Sequence, residues 1–194
     1  FFDYEQNYGI SGNPDIKRTS IYNADIRYEW YPKAGEAITI GGFIKRFVEP
    51  IEFRLDPGSN ADRRLYFYQN AKNANTYGLE LEFRKSLSFI SSSDFFRSIN
   101  AFGNLTYIFS EVTFADELSG SPVSANRPIQ GQSPYLINTG LQYTNTEKGW
   151  TSSLLYNRVG ERLALVGNTD FPDIYERPRN LIDFQITRKV MKKR

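Results

Sequence analysis

The sequence predicts an all-β fold built from long antiparallel up-and-down strands. Apolar and polar residues alternate along most of the chain, as they do in strands that have one apolar face. No long segment has the period of roughly 3.6 residues that marks a helix. Several alternating segments run about nine to eleven residues, the length of a tilted membrane-crossing strand, whereas strands of soluble proteins run about five or six. The strands are therefore predicted to cross a membrane.

The first alternating segment shows the pattern most clearly. Every second residue from Tyr22 to Trp30 is apolar, and the residues between them are all polar. Residues 32–36, which include Pro32 and Gly35, are typical of a turn. Phe43, Phe102 and Ile108 interrupt the polar faces of later segments. Six further segments alternate, the sixth of the seven less cleanly than the others, and they lie at 38–45, 76–84, 99–110, 135–144, 150–163 and 182–187.

The connections between these segments differ regularly in length. Short or intermediate connections at 32–36, 88–97 and 145–149 alternate with long ones at 48–73, 113–134 and 164–178. Transmembrane β-barrels have short turns on one side of the membrane and long loops on the other. Aromatic residues near the short connections suggest one aromatic girdle of such a barrel; they are Trp30, Tyr31, Phe89, Phe95, Phe96, Tyr143 and Trp150.

The composition excludes several kinds of chemistry. The 194 residues include no Cys and no His, so the chain forms neither disulfides nor Ser-His or Cys-His catalytic pairs. The net charge of +2 does not favour nucleic acid. The basic residues at 188–194 fit a turn near lipid head groups better than a nucleic-acid site. Aromatic residues make up 15% of the chain, which suits both strands and membrane interfaces.

Two groups of acidic residues offer weaker functional interpretations. Glu80 and Glu82 share a strand face, as a paired-carboxylate glycosidase would require, but a solvated polar face explains them better. Asp56, Asn60 and Asp62 supply the oxygen ligands that calcium prefers, but their spacing does not match an EF-hand loop. We therefore predict a protein that is not an enzyme, with no catalytic residue, metal or cofactor.

Several motifs, spread in order over nearly the whole chain, resemble one known family. Residues 127–135 (RPIQGQSPY) are the most specific of them. The others are residues 12–17 (GNPDIK), 23–32 (NADIRYEWYP), 43–52 (FIKRFVEPIE), 76–82 (TYGLELE) and 175–179 (YERPR). Together they resemble the barrel of TonB-dependent outer-membrane receptors, most closely the Bacteroidetes-type versions. Ile16 and Ile26 stand where that family usually has Leu.

The resemblance implies a specific architecture and function. The family's fold is a 22-stranded barrel with an N-terminal plug inside. Residues 1–194 would be the C-terminal portion of such a barrel, with about seven strands and without the plug domain or the final strands. The implied function is TonB-dependent uptake of a scarce nutrient (siderophore, cobalamin, glycan or peptide) across the outer membrane of a Gram-negative cell. The implied partners are outer-membrane lipid, the inner-membrane TonB complex acting through the plug, and a surface lipoprotein of SusD type.

Candidate functional residues follow from these patterns and the resemblance. Six polar residues are expected to face the barrel lumen and the plug, namely Asp25, Arg27, Glu29, Glu80, Glu82 and Arg84. Tyr66, Tyr68 and Arg127, in the long connections, are candidates for contact with the ligand. The residues also leave open a soluble secreted β-sandwich that binds glycan through exposed aromatic residues, because sandwiches alternate polar and apolar residues too.

Overall fold

The structure, a computed structural model, describes residues 2–3, 8–56, 59, 64–113, 127–167 and 171–190. Besides strands, these residues form a 3-10 turn at Leu87–Phe89 and a short helix, α1, at Asp94–Arg97. The strands in the described part of the chain are β1 (Phe2–Asp3), β2 (Tyr8–Ser11), β3 (Ser20–Trp30), β4 (Ala37–Val48), β5 (Ile51–Leu55), β6 (Leu65–Asn70), β7 (Asn73–Ser86), β8 (Ile99–Thr113), β9 (Tyr135–Asn145), β10 (Trp150–Val159), β11 (Arg162–Leu165), β12 (Ile174–Glu176) and β13 (Arg179–Arg188).

Seven long strands form one antiparallel sheet, here called the wall sheet. Their order is β3-β4-β7-β8-β9-β10-β13, so neighbours in the sheet follow one another along the chain apart from short strands in the long connections. They are 10 to 15 residues long, beyond the usual length in soluble proteins. The predicted all-β, up-and-down architecture is confirmed, and each predicted segment overlaps one wall strand. The sixth, predicted at 150–163, is too long, because β10 ends at Val159 and residues 162–163 belong to β11. Within the described residues, no helix has the length and apolarity needed to span a membrane.

The two faces of the wall sheet differ sharply in chemistry. On the apolar face, large side chains stand open to the surroundings, with Ile26 78% and Ile182 72% exposed. An apolar surface of this extent is stable against lipid and unfavourable in water. The opposite face, here called the polar face, carries the charged residues of β3 and, apart from Lys85 near the strand end, those of β7. The register aligns apolar residues across four strands, as in the row formed by Tyr28, Ile40, Leu81 and Leu105.

Aromatic rings cover glycines on neighbouring wall strands. Phe43 lies in register with Gly78, and its Cζ is 2.6 Å from the position that a Cβ on Gly78 would take. Phe102 covers Gly140 in the same way, at 2.8 Å. Such aromatic–glycine pairs fill the space over the ladder and fix its register. Two of the apolar residues that interrupt the polar pattern in the sequence therefore pack within the sheet.

The long connection between β4 and β7 is itself a hairpin, which the sequence analysis did not predict. β5 and β6 pair in the register that β4 and β7 establish, and the hairpin is interrupted at Glu49, which has a φ of 55°, and Pro50. β2 joins β6 in parallel, and the resulting four-stranded sheet, β1-β2-β6-β5, is here called the loop sheet. The residues of β5 alternate, but its polar residues Glu52 and Arg54 are the buried ones, and β6 does not alternate, so neither short strand has the usual pattern of a wall strand.

The lengths of the connections confirm the predicted alternation. Residues 31–36, 87–98 and 146–149 link wall strands at one end of the sheet, here called the short-connection end. Residues 49–72, 114–134 and 160–178 link them at the other, the long-connection end. At the short-connection end, Lys85 Nζ donates a 2.7 Å hydrogen bond to Glu36, and this bond lowers the pKa of the Glu36 carboxyl.

The Phe43–Gly78 pair predicts a strong effect of one added methyl group. In Gly78→Ala, the Cβ would lie 2.6 Å from Phe43 Cζ and 2.7 Å from the Tyr107 carbonyl oxygen, so the backbone must shift. We expect the free energy of unfolding to fall by about 1–3 kcal/mol. Urea-induced unfolding of the full-length protein in lipid vesicles measures this change.

Gly41→Ala is the matched control, because its Cβ would make ordinary contacts of 3.6–3.7 Å in the same sheet. It should leave the free energy of unfolding unchanged or raise it slightly, by under about 1 kcal/mol. Equal unfolding midpoints for the two variants would contradict the packing described for Phe43.

Candidate functional site

A cleft of about 540 Å³ lies on the polar face of the wall sheet, over β3, β4, β7 and β8. Register brings its polar side chains together, since Arg27, Gly41 and Glu80 stand side by side on three neighbouring strands. Gly41 has no side chain, so the space between Arg27 and Glu80 stays open. Of the six predicted lumen residues, four line the cleft, namely Asp25, Arg27, Glu80 and Glu82.

Arg27 is the centre of a group of ion pairs on this face. Its Nε lies 2.7 Å from Glu29 Oε1, and its Nη2 lies 3.3 Å from Glu82 Oε2. Tyr31 donates a further hydrogen bond to Glu29. All three charged side chains are well exposed, and exposed ion pairs contribute only about 0–1 kcal/mol each. The group therefore contributes little to the fold and presents charged atoms to any polar partner on this face.

The other predicted lumen residues lie close to this group. Asp25 accepts a 3.1 Å hydrogen bond from Asn23, and Glu80 is exposed on the same face. Arg84 is exposed nearer the short-connection end, in register with Ala37. The structure thus brings the six residues onto one surface, and their contact with a plug stays a prediction.

A second polar assembly lies at the long-connection end, where residues 127–134 form what is here called the clasp. Arg127 donates two hydrogen bonds to Glu52, from Nη1 to Oε1 at 3.1 Å and from Nη2 to Oε2 at 2.5 Å. Both side chains are almost fully buried, at 3% and 2% exposure. A bidentate ion pair fixes the relative position of its two side chains. Because this pair is buried, removal of either partner would leave an uncompensated charge in the interior.

Gln130 ties the clasp to the edge of the loop sheet. Its side-chain amide donates to the carbonyl oxygens of Phe53 at 3.0 Å and Ala164 at 2.8 Å. Its Oε1 accepts a hydrogen bond from the Phe53 N–H at 2.8 Å. One side chain thus satisfies both backbone groups of Phe53 on edge strand β5, as a neighbouring strand would.

Further contacts fasten the clasp to the wall sheet. Thr76 donates to Gln132 at 3.3 Å, and Ser110 accepts from the Ile129 N–H at 3.2 Å. Ile129 packs on a small apolar cluster that includes Val112. At Gly131 the backbone turns through a φ of 80°, which favours glycine. Most residues of the distinctive 127–135 motif therefore have a structural partner. The partner of Arg127 is Glu52, which belongs to the 43–52 motif.

Burial also affects a second arginine beside the clasp. Arg54 is almost fully buried and donates a 2.9 Å hydrogen bond to Gln69 Oε1. Burial lowers the pKa of Arg54, and the Glu52 carboxylate partly opposes this effect. Glu52 thus faces two buried guanidinium groups. Sequence reasoning missed the roles of Glu52 and Gln130, although a carboxylate set among the apolar residues of β5 was a usable signal.

The three candidate ligand residues differ in accessibility. Arg127 is held in the clasp, and Tyr66 is only 3% exposed, with its ring 5.1 Å from that of Phe53. Burial also raises the pKa of Tyr66. Tyr68, by contrast, is 45% exposed. Contact with a ligand stays a prediction for all three, and Tyr66 and Arg127 would need the loop sheet or the clasp to open first.

The calcium-type cluster cannot be assembled from the described residues. Asn60 and Asp62 lie outside them, and Asp56 is the one member that is described. Across the described ranges, no group of three or more acidic side chains is arranged to hold a metal ion.

The clasp predicts a large local effect of removing one charge. Arg127→Met would leave Glu52 buried without its partner, so we expect the free energy of opening of β5 and β6 to fall by about 3–5 kcal/mol. Hydrogen exchange of the β5 and β6 amides in the full-length protein measures this opening.

Lys17→Met is the control, because it removes an exposed ion pair with Glu49, 2.9 Å long. It should change the free energy of opening of β5 and β6, measured by amide exchange, by less than about 1 kcal/mol. Equal effects of the two substitutions would mean that the Arg127–Glu52 pair does not hold the clasp.

Comparison with known proteins supports this architecture. The family described as "TonB dependent receptor-like, beta-barrel" matches residues 2–189. No curated protein matches the chain significantly. Among solved structures, the ferric enterobactin receptor PfeA of Pseudomonas aeruginosa is 17% identical, with a TM-score of 0.58 over 95% of this chain and 26% of its own. The FrpB iron transporter of Neisseria meningitidis is 13% identical, with a TM-score of 0.56 over 94% of this chain and 25% of its own.

The siderophore receptor PirA of Acinetobacter baumannii is also similar, with 13% identity and a TM-score of 0.56 over 94% of this chain and 27% of its own. The chain thus spans about a quarter of the length of these receptors, and at such low identity the likeness shows the fold alone. Because the family match extends over almost the whole sequence and agrees with the wall sheet, the chain belongs to the TonB-dependent receptor-like β-barrel family.

Proposed function

We propose that residues 1–194 are the C-terminal portion of the barrel of an outer-membrane receptor for TonB-dependent uptake of a scarce nutrient. The observation that carries the proposal is the wall sheet itself, which exposes a broad apolar face and bears charged residues on the other. Long strands with this division suit a barrel wall between lipid and a wet or plugged lumen. The proposed site of the receptor is the outer membrane of a Gram-negative cell.

The edges of the wall sheet support a larger barrel. Among the described residues, β3 and β13 each pair with one wall strand only. Unpaired backbone groups cost several kcal/mol each in hydrocarbon, so both edges need further strands. The charged polar face also needs a wide lumen, such as that of the family's 22-stranded barrels. The plug domain and the remaining strands are proposed to lie in the rest of the polypeptide.

The polar face and the long-connection end have different proposed functions. Arg27 and its acidic neighbours would contact the plug, whose movement under the TonB complex opens a path. The long-connection end, with Tyr68 exposed on the loop sheet, would meet the ligand. By name, the structural neighbours are receptors or transporters for iron or siderophores, so iron–siderophores are the ligands to assay first. A surface lipoprotein of SusD type and a Bacteroidetes source are supported by the sequence resemblance alone.

The glycan-binding β-sandwich is not favoured. A sandwich buries the apolar face of each sheet against a second sheet. In the described part of this chain, the apolar face of the wall sheet has no second sheet paired across it, and its large side chains remain exposed. The catalytic alternative based on Glu80 and Glu82 gains no support, since Glu82 is engaged with Arg27.

Sidedness follows from the proposal and can be measured on cells. We expect the long-connection end to face outward and the short-connection end to face the periplasm. Arg64 and Lys148 are exposed at the two ends. Arg64→Cys should therefore react with a membrane-impermeant maleimide on intact cells, and Lys148→Cys only after the outer membrane is permeabilised.

Ser59 lies in the same long connection as Arg64 but is unsuitable for labelling, because it is buried and its hydroxyl donates a hydrogen bond to the Leu65 carbonyl oxygen. Reaction of Lys148→Cys but not Arg64→Cys on intact cells would reverse the orientation and contradict the proposed ligand-binding end.

A further inference from the structure

We propose that the rim of the apolar face at the short-connection end binds an anionic phospholipid of the inner leaflet, with the head group at Arg188. The inference rests on the membrane placement proposed above. The surface, here called the lipid rim, consists of Phe89, Ile90, Phe95, Tyr143, Trp150 and Arg188.

The connection between β7 and β8 supplies one part of the lipid rim. It is the longest of the short-end connections, and Phe89, Ile90 and Phe95 in it are 69%, 54% and 59% exposed. The Phe95 ring lies 5.7 Å from that of Tyr143, which is in register with Ser152. The connection therefore folds towards the apolar face. Large apolar side chains exposed in this way are stable when lipid covers them.

Arg188 and Trp150 supply the head-group contact. They are in register on β13 and β10, and the Arg188 guanidinium lies 5.0 Å from the centre of the Trp150 ring. Trp150 lies at the end of the strand face that carries Leu154, which is exposed. Trp residues prefer the membrane interface, and a guanidinium there presents a planar set of donors that matches a phosphate group.

Neighbouring charges favour an anionic head group. The Lys189 N–H donates to the Gly149 carbonyl oxygen at 2.9 Å, which brings Lys189 beside the turn that carries Lys148. Arg188, Lys148 and Lys189 outnumber the one carboxylate of this turn, Glu147, and the Asp94 carboxylate beside Phe95 is paired with Arg97 at 3.7 Å. A surplus of cations at the interface attracts anionic lipids over zwitterionic ones.

The apolar side chains beside Arg188 offer a surface for an acyl chain. Ser152 is in register with Tyr143 and Ile186, one face position deeper than Trp150. Ile186 is 59% exposed, and Leu154, one face position deeper again, is 46% exposed. The head group at Arg188 and an acyl chain against Ile186 and Leu154 would thus have separate contacts on the same surface.

The test uses the full-length receptor, with its other cysteines removed, in vesicles of phosphatidylethanolamine. A fluorophore on Ser152→Cys reports quenching by spin-labelled phosphatidylglycerol or by phosphatidylcholine with the same acyl chains. We expect phosphatidylglycerol to associate about fivefold more strongly, which corresponds to one interfacial cation. In Arg188→Gln, the ratio of phosphatidylglycerol to phosphatidylcholine association should fall towards one.

Arg179→Gln is the matched control, because Arg179 is exposed on the same strand at the opposite end. It should keep the preference for phosphatidylglycerol. No preference in the parent protein, or equal loss in both variants, would overturn the proposal.

A second label distinguishes failure of the proposed lipid site from failure of the proposed membrane placement. A fluorophore on Ile182→Cys, in the middle of β13, should be quenched equally by both lipids. If position 182 is quenched and position 152 shows no preference, the lipid site is wrong and the barrel stands. If neither lipid quenches position 182, the membrane placement and the lipid site both fall.

Discussion

The structure depends on one constraint, namely that every backbone N–H and C=O group in hydrocarbon needs a partner within the protein. The wall sheet meets it with ladders that run unbroken for nine or more residues between successive strands. Because side chains alternate along each strand, the same ladders sort the residues into an apolar face and a charged face. The aromatic–glycine pairs at Gly78 and Gly140 fix the register without interrupting the ladder.

Outside the apolar band, side chains supply partners for some of the backbone groups that have no neighbouring strand. At the long-connection end the ladder between β4 and β7 continues as β5 and β6, and strand β5 would present an open edge. Gln130 covers part of that edge, and the buried Glu52–Arg127 pair holds the clasp in position. The clasp thereby joins three long connections and holds the edge of the loop sheet at the long-connection end. This explains why the most distinctive motif of the sequence lies outside the strands.

The sequence was sufficient for the parts of the fold that obey a simple periodicity. All seven wall strands and the alternating connection lengths follow from period-two patterns and turn residues. The loop sheet was missed because its strands are short, because β6 does not alternate, and because β5 alternates but buries its polar residues Glu52 and Arg54. Arg127 could be picked out as unusual, but its partner Glu52 lies far away in the sequence, and only the folded structure brings the two together. The six charged residues of the polar face were found because they occupy one side of alternating strands.

The most direct test of this account is a spin-label scan along β7 of the full-length receptor in lipid vesicles. Labels at Leu79 and Leu81 should collide with oxygen dissolved in the bilayer, whereas labels at Glu80 and Glu82 should collide with a water-soluble paramagnetic reagent. The expected result is a strict period of two between the two reagents. Equal access of the water-soluble reagent at all four positions would contradict a wall between lipid and lumen.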